Sequence, residues 1–116
     1  MMLTCYSQAC APGFLQLWVG LFGTEEPPPI RFRLNEADVA HEVHLPVAPI
    51  RDAMTGRTNR PINHRGIFRI SGVEAGHPYR VTIIAGDRWL ALATTTLPAA
   101  IPQTLDGSFN VLLCSC

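Results

Sequence analysis

Residues 65–85 contain two runs in which apolar and polar side chains alternate. In the second run every second position is apolar, which places four side chains on one face: Tyr79, Val81, Ile83 and Ala85. The segment Glu-Ala-Gly-His-Pro separates the two runs and ends at Pro78. Alternation with a period of two, interrupted by Gly and Pro, is typical of half-buried strands. We therefore predict two strands with a corner between them.

The tyrosine that opens the second run indicates how this corner is built. Tyr79 follows the turn that contains Gly76, so we expect its ring to enter the core while its hydroxyl group returns to the backbone of the corner. This arrangement is the tyrosine corner of immunoglobulin-like sandwiches. The alternative is an ordinary hairpin with a half-exposed tyrosine.

The remaining apolar runs also have the length of strands. They cover residues 2–8, 14–22, 30–34, 39–45 and 88–97, whereas residues 46–64 have no period and are expected to form a long loop. No stretch keeps a helical period. The chain is therefore predicted to be all-β, an immunoglobulin-like or fibronectin-type-III-like β-sandwich of about seven strands with Greek-key connections. Trp18, in the second run, is assigned to its core as an aromatic residue. Gln16 would then share its face and need a buried partner; the alternative is that Trp18 faces the other way.

The predicted sandwich occupies residues 1–97, and the last part of the chain has a different character. Residues 98–108 include Pro98 and Pro102 and are interpreted as a linker. Residues 109–116 begin with Phe-Asn-Val-Leu-Leu, an apolar run typical of a strand buried on both faces. We interpret this run as the first strand of a following domain. The alternative is that it forms the last strand of the sandwich.

Size and charge restrict the class of protein. A chain of 116 residues fits one domain with its own core. Nine basic residues, all arginine, balance nine acidic ones, and this neutrality argues against a nucleic-acid partner. The absence of lysine indicates coding bias of the kind found in high-GC bacterial genomes. The apolar run at residues 14–23 lacks a preceding basic residue and is too short to cross a bilayer, so we expect neither a signal peptide nor a membrane partner.

Four cysteines lie towards the two ends of the chain: Cys5, Cys10, Cys114 and Cys116. Because no export signal is recognised, a cytoplasmic compartment with reduced thiols is expected. The spacings between the cysteines differ from those of the paired thiolates in structural zinc sites. A zinc site formed by all four cysteines and a disulfide between Cys5 and Cys10 are the alternatives, and we expect no cofactor.

Positive charge concentrates in one segment of the chain. Four cationic or titratable side chains occur there: Arg57, Arg60, His64 and Arg65. Guanidinium groups bind phosphate and carboxylate groups through two hydrogen bonds, so this segment is a candidate contact with an anion or with a neighbouring domain. The alternative is a solvated loop whose cations pair with acidic side chains. No group of residues supplies a nucleophile, a base and an orienting group, so we predict no catalytic residue.

Four short motifs occur in a characteristic order: Leu-Trp-Val at 17–19, Gly-Val-Glu-Ala-Gly-His-Pro-Tyr-Arg-Val at 72–81, Thr-Thr-Thr-Leu-Pro at 94–98 and Phe-Asn-Val-Leu-Leu-Cys-Ser-Cys at 109–116. This order resembles the N-terminal immunoglobulin-like or fibronectin-type-III-like domain of alkaline phosphatase D-like metallophosphoesterases. In that family a small β-sandwich precedes a calcineurin-like catalytic domain, whose first strand typically ends in a Ser-Cys pair that Ser115 and Cys116 would match. Cys114 stands where such proteins often have Gly.

The resemblance implies an accessory domain rather than an enzyme. The family binds two metal ions through Asp-x-His, Gly-Asp-x-x-Asp and Gly-Asn-His-Asp motifs, and none of these occurs in this chain. We therefore expect no metal site in this chain, and a following catalytic domain in cis as its partner. The alternative is a stand-alone module that binds a carbohydrate, another ligand or a protein. Trp89 is then the one aromatic residue expected to serve as a platform.

Overall fold

The computed structural model describes residues 1–8, 11–51, 55–57 and 62–99. The described residues form no helix, hence none long and apolar enough to cross a membrane. They form eight strands: β1 (Met2–Gln8), β2 (Phe14–Phe22), β3 (Ile30–Leu34), β4 (Ala37–Val39), β5 (Glu42–Pro49), β6 (Asn63–Ser71), β7 (Pro78–Ala85) and β8 (Arg88–Thr95). The predicted all-β class is therefore confirmed, with eight strands where about seven were expected.

The strands form two antiparallel sheets that pack as a β-sandwich. The first sheet has the order β1-β2-β6-β5 and the second has the order β4-β3-β7-β8. The connections from β2 to β3, from β4 to β5 and from β6 to β7 each pass from one sheet to the other. The core between the sheets is therefore assembled from strands that are distant in sequence.

The core consists of the inward positions of the central strands. On β2 these are all aliphatic: Leu15, Leu17, Val19 and Leu21. On β7 the predicted face is inward, with Val81, Ile83 and Ala85 fully buried. Phe32 of the second sheet meets Phe68 of the first, with their ring centroids 5.3 Å apart. This aromatic pair joins the two sheets across the core.

The prediction for residues 39–64 was wrong in two respects. Residues 39–45 do not form one strand, because β4 ends at Val39 in the second sheet and β5 begins at Glu42 in the first. The predicted loop at 46–64 is also shorter, since β5 continues to Pro49 and β6 begins at Asn63. β5 tolerates its two prolines because it is an edge strand with irregular pairing to β6.

The hairpin between β3 and β4 fixes one end of the second sheet. Asn35 and Glu36 have positive φ angles of 48° and 69°, which fits the two-residue turns that join antiparallel strands. The backbone N–H of Asn35 donates to the carbonyl of Arg80, and the Asn35 side chain accepts from the Arg80 N–H at 3.0 Å. These bonds hold Glu36 near the start of β7.

The predicted linker at 98–108 and the predicted strand at 109–116 lie outside the described residues, except for Pro98 and Ala99. The proposed division of the chain at residue 97 therefore stays a prediction.

Candidate functional site

The corner before β7 contains the tyrosine interaction that was expected from the sequence. The hydroxyl oxygen of Tyr79 accepts a hydrogen bond from the backbone N–H of Glu74 at 2.9 Å. Gly76 has a φ angle of 66°, and its N–H donates to the carbonyl of Leu97. The ring of His77 meets the Tyr79 ring edge-on, with centroids 5.0 Å apart. The corner is therefore fixed to β7 and to the segment after β8.

Thr96 is a structural residue of this corner that sequence reasoning missed. Its buried hydroxyl group donates to the carbonyl of Glu74 and accepts from the N–H of His77 at 2.9 Å. Its own N–H donates to the carbonyl of His77. The run of three threonines at 94–96 gives no sign of which hydroxyl is buried. The distinction appears only because β8 ends at Thr95 and the chain then turns against the corner.

The structure describes three of the four residues of the predicted anion contact, and two of these lie on opposite faces of β6. Strand β6 places His64 inward, opposite Leu21, whereas Arg65 next to it points to the outer face. His64 is buried, and its Nδ1 atom has no hydrogen-bond partner among the described residues, so it is not a solvated member of a cationic loop. Arg57 is exposed, and Arg60 lies outside the described residues. The alternation of a strand separates residues that sequence proximity had grouped.

Trp18 was assigned to the core, and this assignment is wrong. The inward positions of β2 are occupied by Leu17 and Val19, so Trp18 lies on the outer face of the first sheet. There its ring stacks on that of Tyr6 from β1, with centroids 4.9 Å apart and planes inclined by 16°. The half-buried state of Trp18 therefore comes from its neighbours on the sheet surface rather than from the core.

Gln16 lies on the same outer face and is buried there although its side chain is polar. Its Nε2 donates to Oε1 of Gln8 at 2.9 Å, and its Oε1 accepts from Nε of Arg69 at 2.7 Å. The Arg69 guanidinium also lies 4.9 Å from the centre of the Phe14 ring. The amide of Gln16 is thus paired on both sides, as burial requires.

The outer positions of β1, β2 and β6 form a continuous apolar surface, which we call the aromatic face: Met2, Tyr6, Trp18, Phe22 and Ile67. Met2 and Tyr6 remain 61% and 51% exposed. A side chain at Gly20 would place its Cβ 2.7 Å from both the Trp18 and the Phe22 rings. The two rings therefore close over a glycine, which flattens the surface. Alternation of aromatic with aliphatic residues along β2 is the sequence signal for this face.

The last described residues lie beside one end of this sheet. The hydroxyl group of Thr94 donates to that of Ser7 on β1. Residues 94–97 also line a small hollow of about 110 Å³ together with Gln8 and Phe14. The chain after residue 97 therefore starts next to β1 and β2, the two strands that carry most of the aromatic face.

Of the four cysteines, only Cys5 lies in the described part of the chain, where it is a free thiol. Its side chain points inward from β1, opposite Val19, and packs against the core. Burial raises the pKa of the Cys5 thiol to about 12. Within the described ranges, no three His, Cys, Asp or Glu side chains are grouped as metal ligands. The zinc site and the Cys5–Cys10 disulfide involve residues outside those ranges.

We expect Cys5 to react slowly with iodoacetamide in a variant that keeps it as the single cysteine. Because its pKa is about 12, the reactive thiolate is scarce at pH 8, and alkylation should be at least about tenfold slower than in the same variant unfolded in urea. Equal alkylation rates in the folded and unfolded chains would contradict the buried position.

The raised pKa of Cys5 also affects stability. Unfolded Cys5 ionises above about pH 9, so the free energy of unfolding should fall as the pH rises from 9 to 12.

Comparison with known proteins adds no relative: no family model matches the chain, and no curated protein or solved structure is significantly similar to it.

Proposed function

We propose that this chain is a non-catalytic accessory domain with an immunoglobulin-like fold, which precedes and packs on a metallophosphoesterase catalytic domain in the same polypeptide. The order of the motifs at 17–19, 72–81, 94–98 and 109–116 supports the family. The metal ions of such an enzyme would be bound by the following domain. The role of the present chain is to stabilise that domain or to shape its cleft.

The strand order supports the immunoglobulin-like part of this proposal. If the eight strands are lettered A, B, C, C′, D, E, F and G in chain order, the first sheet reads A-B-E-D and the second reads C′-C-F-G. Immunoglobulin sandwiches have an ABED sheet facing a sheet built on C, F and G. Tyr79 then stands at the start of strand F, the position of the tyrosine corner, with its hydroxyl bonded to Glu74 upstream.

The aromatic face is the observation that carries the accessory role. The aromatic face exposes Met2 and Tyr6 beside the half-buried Trp18, with Arg65 and Arg69 at its rim, and an apolar surface with a polar rim is typical of interaction sites. The following domain is the proposed occupant, because the chain after residue 97 starts beside β1 and β2. A domain attached there reaches this face over a short linker, so its effective concentration at the face is high.

The two tryptophans of the chain allow this docking to be tested, because Trp18 is on the first sheet and Trp89 is on the second. The Trp89→Phe variant leaves Trp18 as the only tryptophan, and Trp18→Phe leaves Trp89. When the following domain, from residue 109 onwards, is added as a separate chain to residues 1–108, we expect Trp18 emission to shift to shorter wavelength and to be shielded from acrylamide. The emission of Trp89 should not change.

Two matched substitutions that each introduce a charge separate docking at the aromatic face from non-specific association. Tyr6→Asp places a carboxylate in the middle of the aromatic face and should weaken binding by at least about tenfold. Trp89→Asp places the same charge at an exposed aromatic residue on the other sheet and should have no effect. A reading frame that stops after Cys116, or binding that leaves Trp18 emission unchanged, would overturn the proposed role.

A stand-alone binding module is the second candidate, and one observation favours it. The Tyr6 and Trp18 rings stack on each other on the outer sheet surface and Tyr6 is 51% exposed, so a second aromatic surface is available besides the exposed Trp89 expected from the sequence. Aromatic faces of this kind bind apolar ligand surfaces, including the faces of sugar rings. If the reading frame ends after Cys116, the aromatic face is the surface on which to seek a ligand.

A further inference from the structure

A second surface feature lies on the opposite side of the sandwich and is not used by the proposed docking. The outer face of the second sheet contains an open hollow of about 480 Å³. Its floor comes from β3 and β7 and one wall comes from the β7–β8 hairpin. The side chains that matter for recognition are Trp89, Arg80, Arg33, Thr82, Glu36 and Asp87.

Trp89 supplies an unpartnered aromatic surface at this hollow. It is 68% exposed, the largest value among the bulky apolar residues of the described chain, and it lies opposite Ile84 in the β7–β8 ladder. It has no stacking partner among the described rings, in contrast to Trp18. Exposed tryptophan is uncommon because the side chain gains much from burial, so its position beside a concave surface points to a ligand.

The charges around Trp89 are mixed rather than of one sign. Arg33 is paired with Asp38 through a 2.9 Å contact, whereas the guanidinium of Arg80 forms no ion pair or hydrogen bond with any described residue. Glu36 and Asp87 add carboxylates, and Arg88 adds a further guanidinium, which lies 4.0 Å from the Asp87 carboxylate. The lining therefore offers a free guanidinium for an anion and also acceptors for hydroxyl groups.

We propose that this hollow binds an acidic oligosaccharide, with one sugar ring stacked on Trp89 and a uronic acid carboxylate held by Arg80. Arg80 and Ile84 are four residues apart on β7, a separation of about 13 Å, so the ligand must be longer than one ring to reach both. The hydroxyl group of Thr82 and the carboxylates of Glu36 and Asp87 would bond the sugar hydroxyl groups between these two anchors. This inference does not depend on the accessory role or on the aromatic face.

The same features argue against a nucleotide as the ligand. Arg33 is paired with Asp38 and Arg88 lies near Asp87, so Arg80 is the guanidinium of the hollow that remains for a ligand, and Glu36 repels further negative charge. The chain as a whole carries no net charge, so it supplies no general attraction for a polyanion. An acidic oligosaccharide carries at most one charge per ring, interleaved with hydroxyl groups, which matches the mixed lining better than the clustered charges of a polyphosphate.

The test is a titration of the whole chain with an oligogalacturonate, with binding measured by calorimetry. A parallel titration uses the fluorescence of the Trp18→Phe variant, in which Trp89 is the only tryptophan. We expect saturable binding and a change in Trp89 emission. The fully methyl-esterified oligogalacturonate has the same rings without the carboxylates, and it should bind at least about tenfold more weakly because the charge-assisted bonds to Arg80 are lost.

Single substitutions then locate the site. Arg80→Gln and Trp89→Ala should each weaken binding by about tenfold or more, and both positions are exposed, so neither change removes core packing. Arg51→Gln removes a charge from an exposed arginine just after β5 of the first sheet and should leave binding unchanged. The proposal is overturned if the acid and the ester bind equally, if neither binds at millimolar concentration, or if adenosine triphosphate binds more tightly than the oligosaccharide.

Discussion

Replacing Phe32 with alanine is expected to lower the free energy of unfolding by about 3–5 kcal/mol. Phe32 is 1% exposed and is the largest of the fully buried side chains in the described residues. Its ring lies on β3 and meets Phe68 of β6 and His41 at centroid distances of 5.3 and 5.0 Å. Removing the ring leaves a cavity between the two sheets. The hydrogen-bonded strands around it can shift only slightly, so they fill the cavity only in part. Because domains are stable by about 5–15 kcal/mol, this single change threatens the fold.

Urea unfolding followed by far-ultraviolet circular dichroism measures this loss, with the slope of the transition confirming that both variants unfold cooperatively. Phe14→Ala is the matched control, because Phe14 is a half-buried phenylalanine on the outer face, covered by the Arg69 guanidinium. Its removal should cost only about 1–2 kcal/mol. Equal losses for the two variants would mean that Phe32 does not join the two sheets.

Replacing Thr96 with valine is expected to lower the free energy of unfolding by about 2–3 kcal/mol, the second-largest effect. Valine keeps the shape of the buried side chain but cannot accept from the N–H of His77 or donate to the carbonyl of Glu74. Both backbone groups then lose their side-chain partner beside a buried position. The cost comes from these unpaired groups rather than from any lost apolar contact.

Two control variants separate the hydroxyl group from the rest of the side chain. Thr96→Ser keeps the hydroxyl and should recover most of the stability lost in Thr96→Val. Thr95→Val makes the same chemical change at the exposed neighbouring residue and should change the stability by less than about 0.5 kcal/mol. Thermal unfolding of the four chains under one buffer condition gives the comparison. A Thr96→Val chain as stable as the parent would show that the corner does not depend on this hydroxyl group.

The two proposed sites occupy opposite outer faces of one sandwich. The aromatic face is apolar and lies near the segment 94–97 that follows β8, which suits a partner domain in cis. The hollow at Trp89 is polar with one aromatic wall, which suits a small polar ligand. The hollow would therefore remain open to a ligand while the partner domain covers the aromatic face.

Several parts of this fold can be read from local sequence. Strict alternation at 65–85 predicted β6 and β7 and their inward faces, because successive side chains of a strand point to opposite sides. The position of Tyr79 after a Gly-containing corner pointed to its hydroxyl contact with the backbone. Both features are local, since the residues that define them lie within one hairpin-sized segment.

Other parts could not be read from local pattern. β2 is apolar on both faces, so its sequence alone did not decide whether Trp18 or its aliphatic neighbours point inward. Likewise, His64 and Arg65 looked like members of one cationic segment until the pairing of β6 with β2 turned them to opposite faces. The prolines of β5 led to the prediction of a loop, but an edge strand with irregular register accommodates them.

The sequence by itself thus determined the all-β class, the alternating strands and the corner at Tyr79, because each depends on a period of two or on a turn residue in its own segment. Only the tertiary structure decided that Trp18 stacks on Tyr6, that the Thr96 hydroxyl bonds to the corner and that Arg80 and Trp89 line the same hollow. The physical reason is that these contacts are made by side chains from different strands. Their meeting depends on strand order and register, which are set by burial of the whole core.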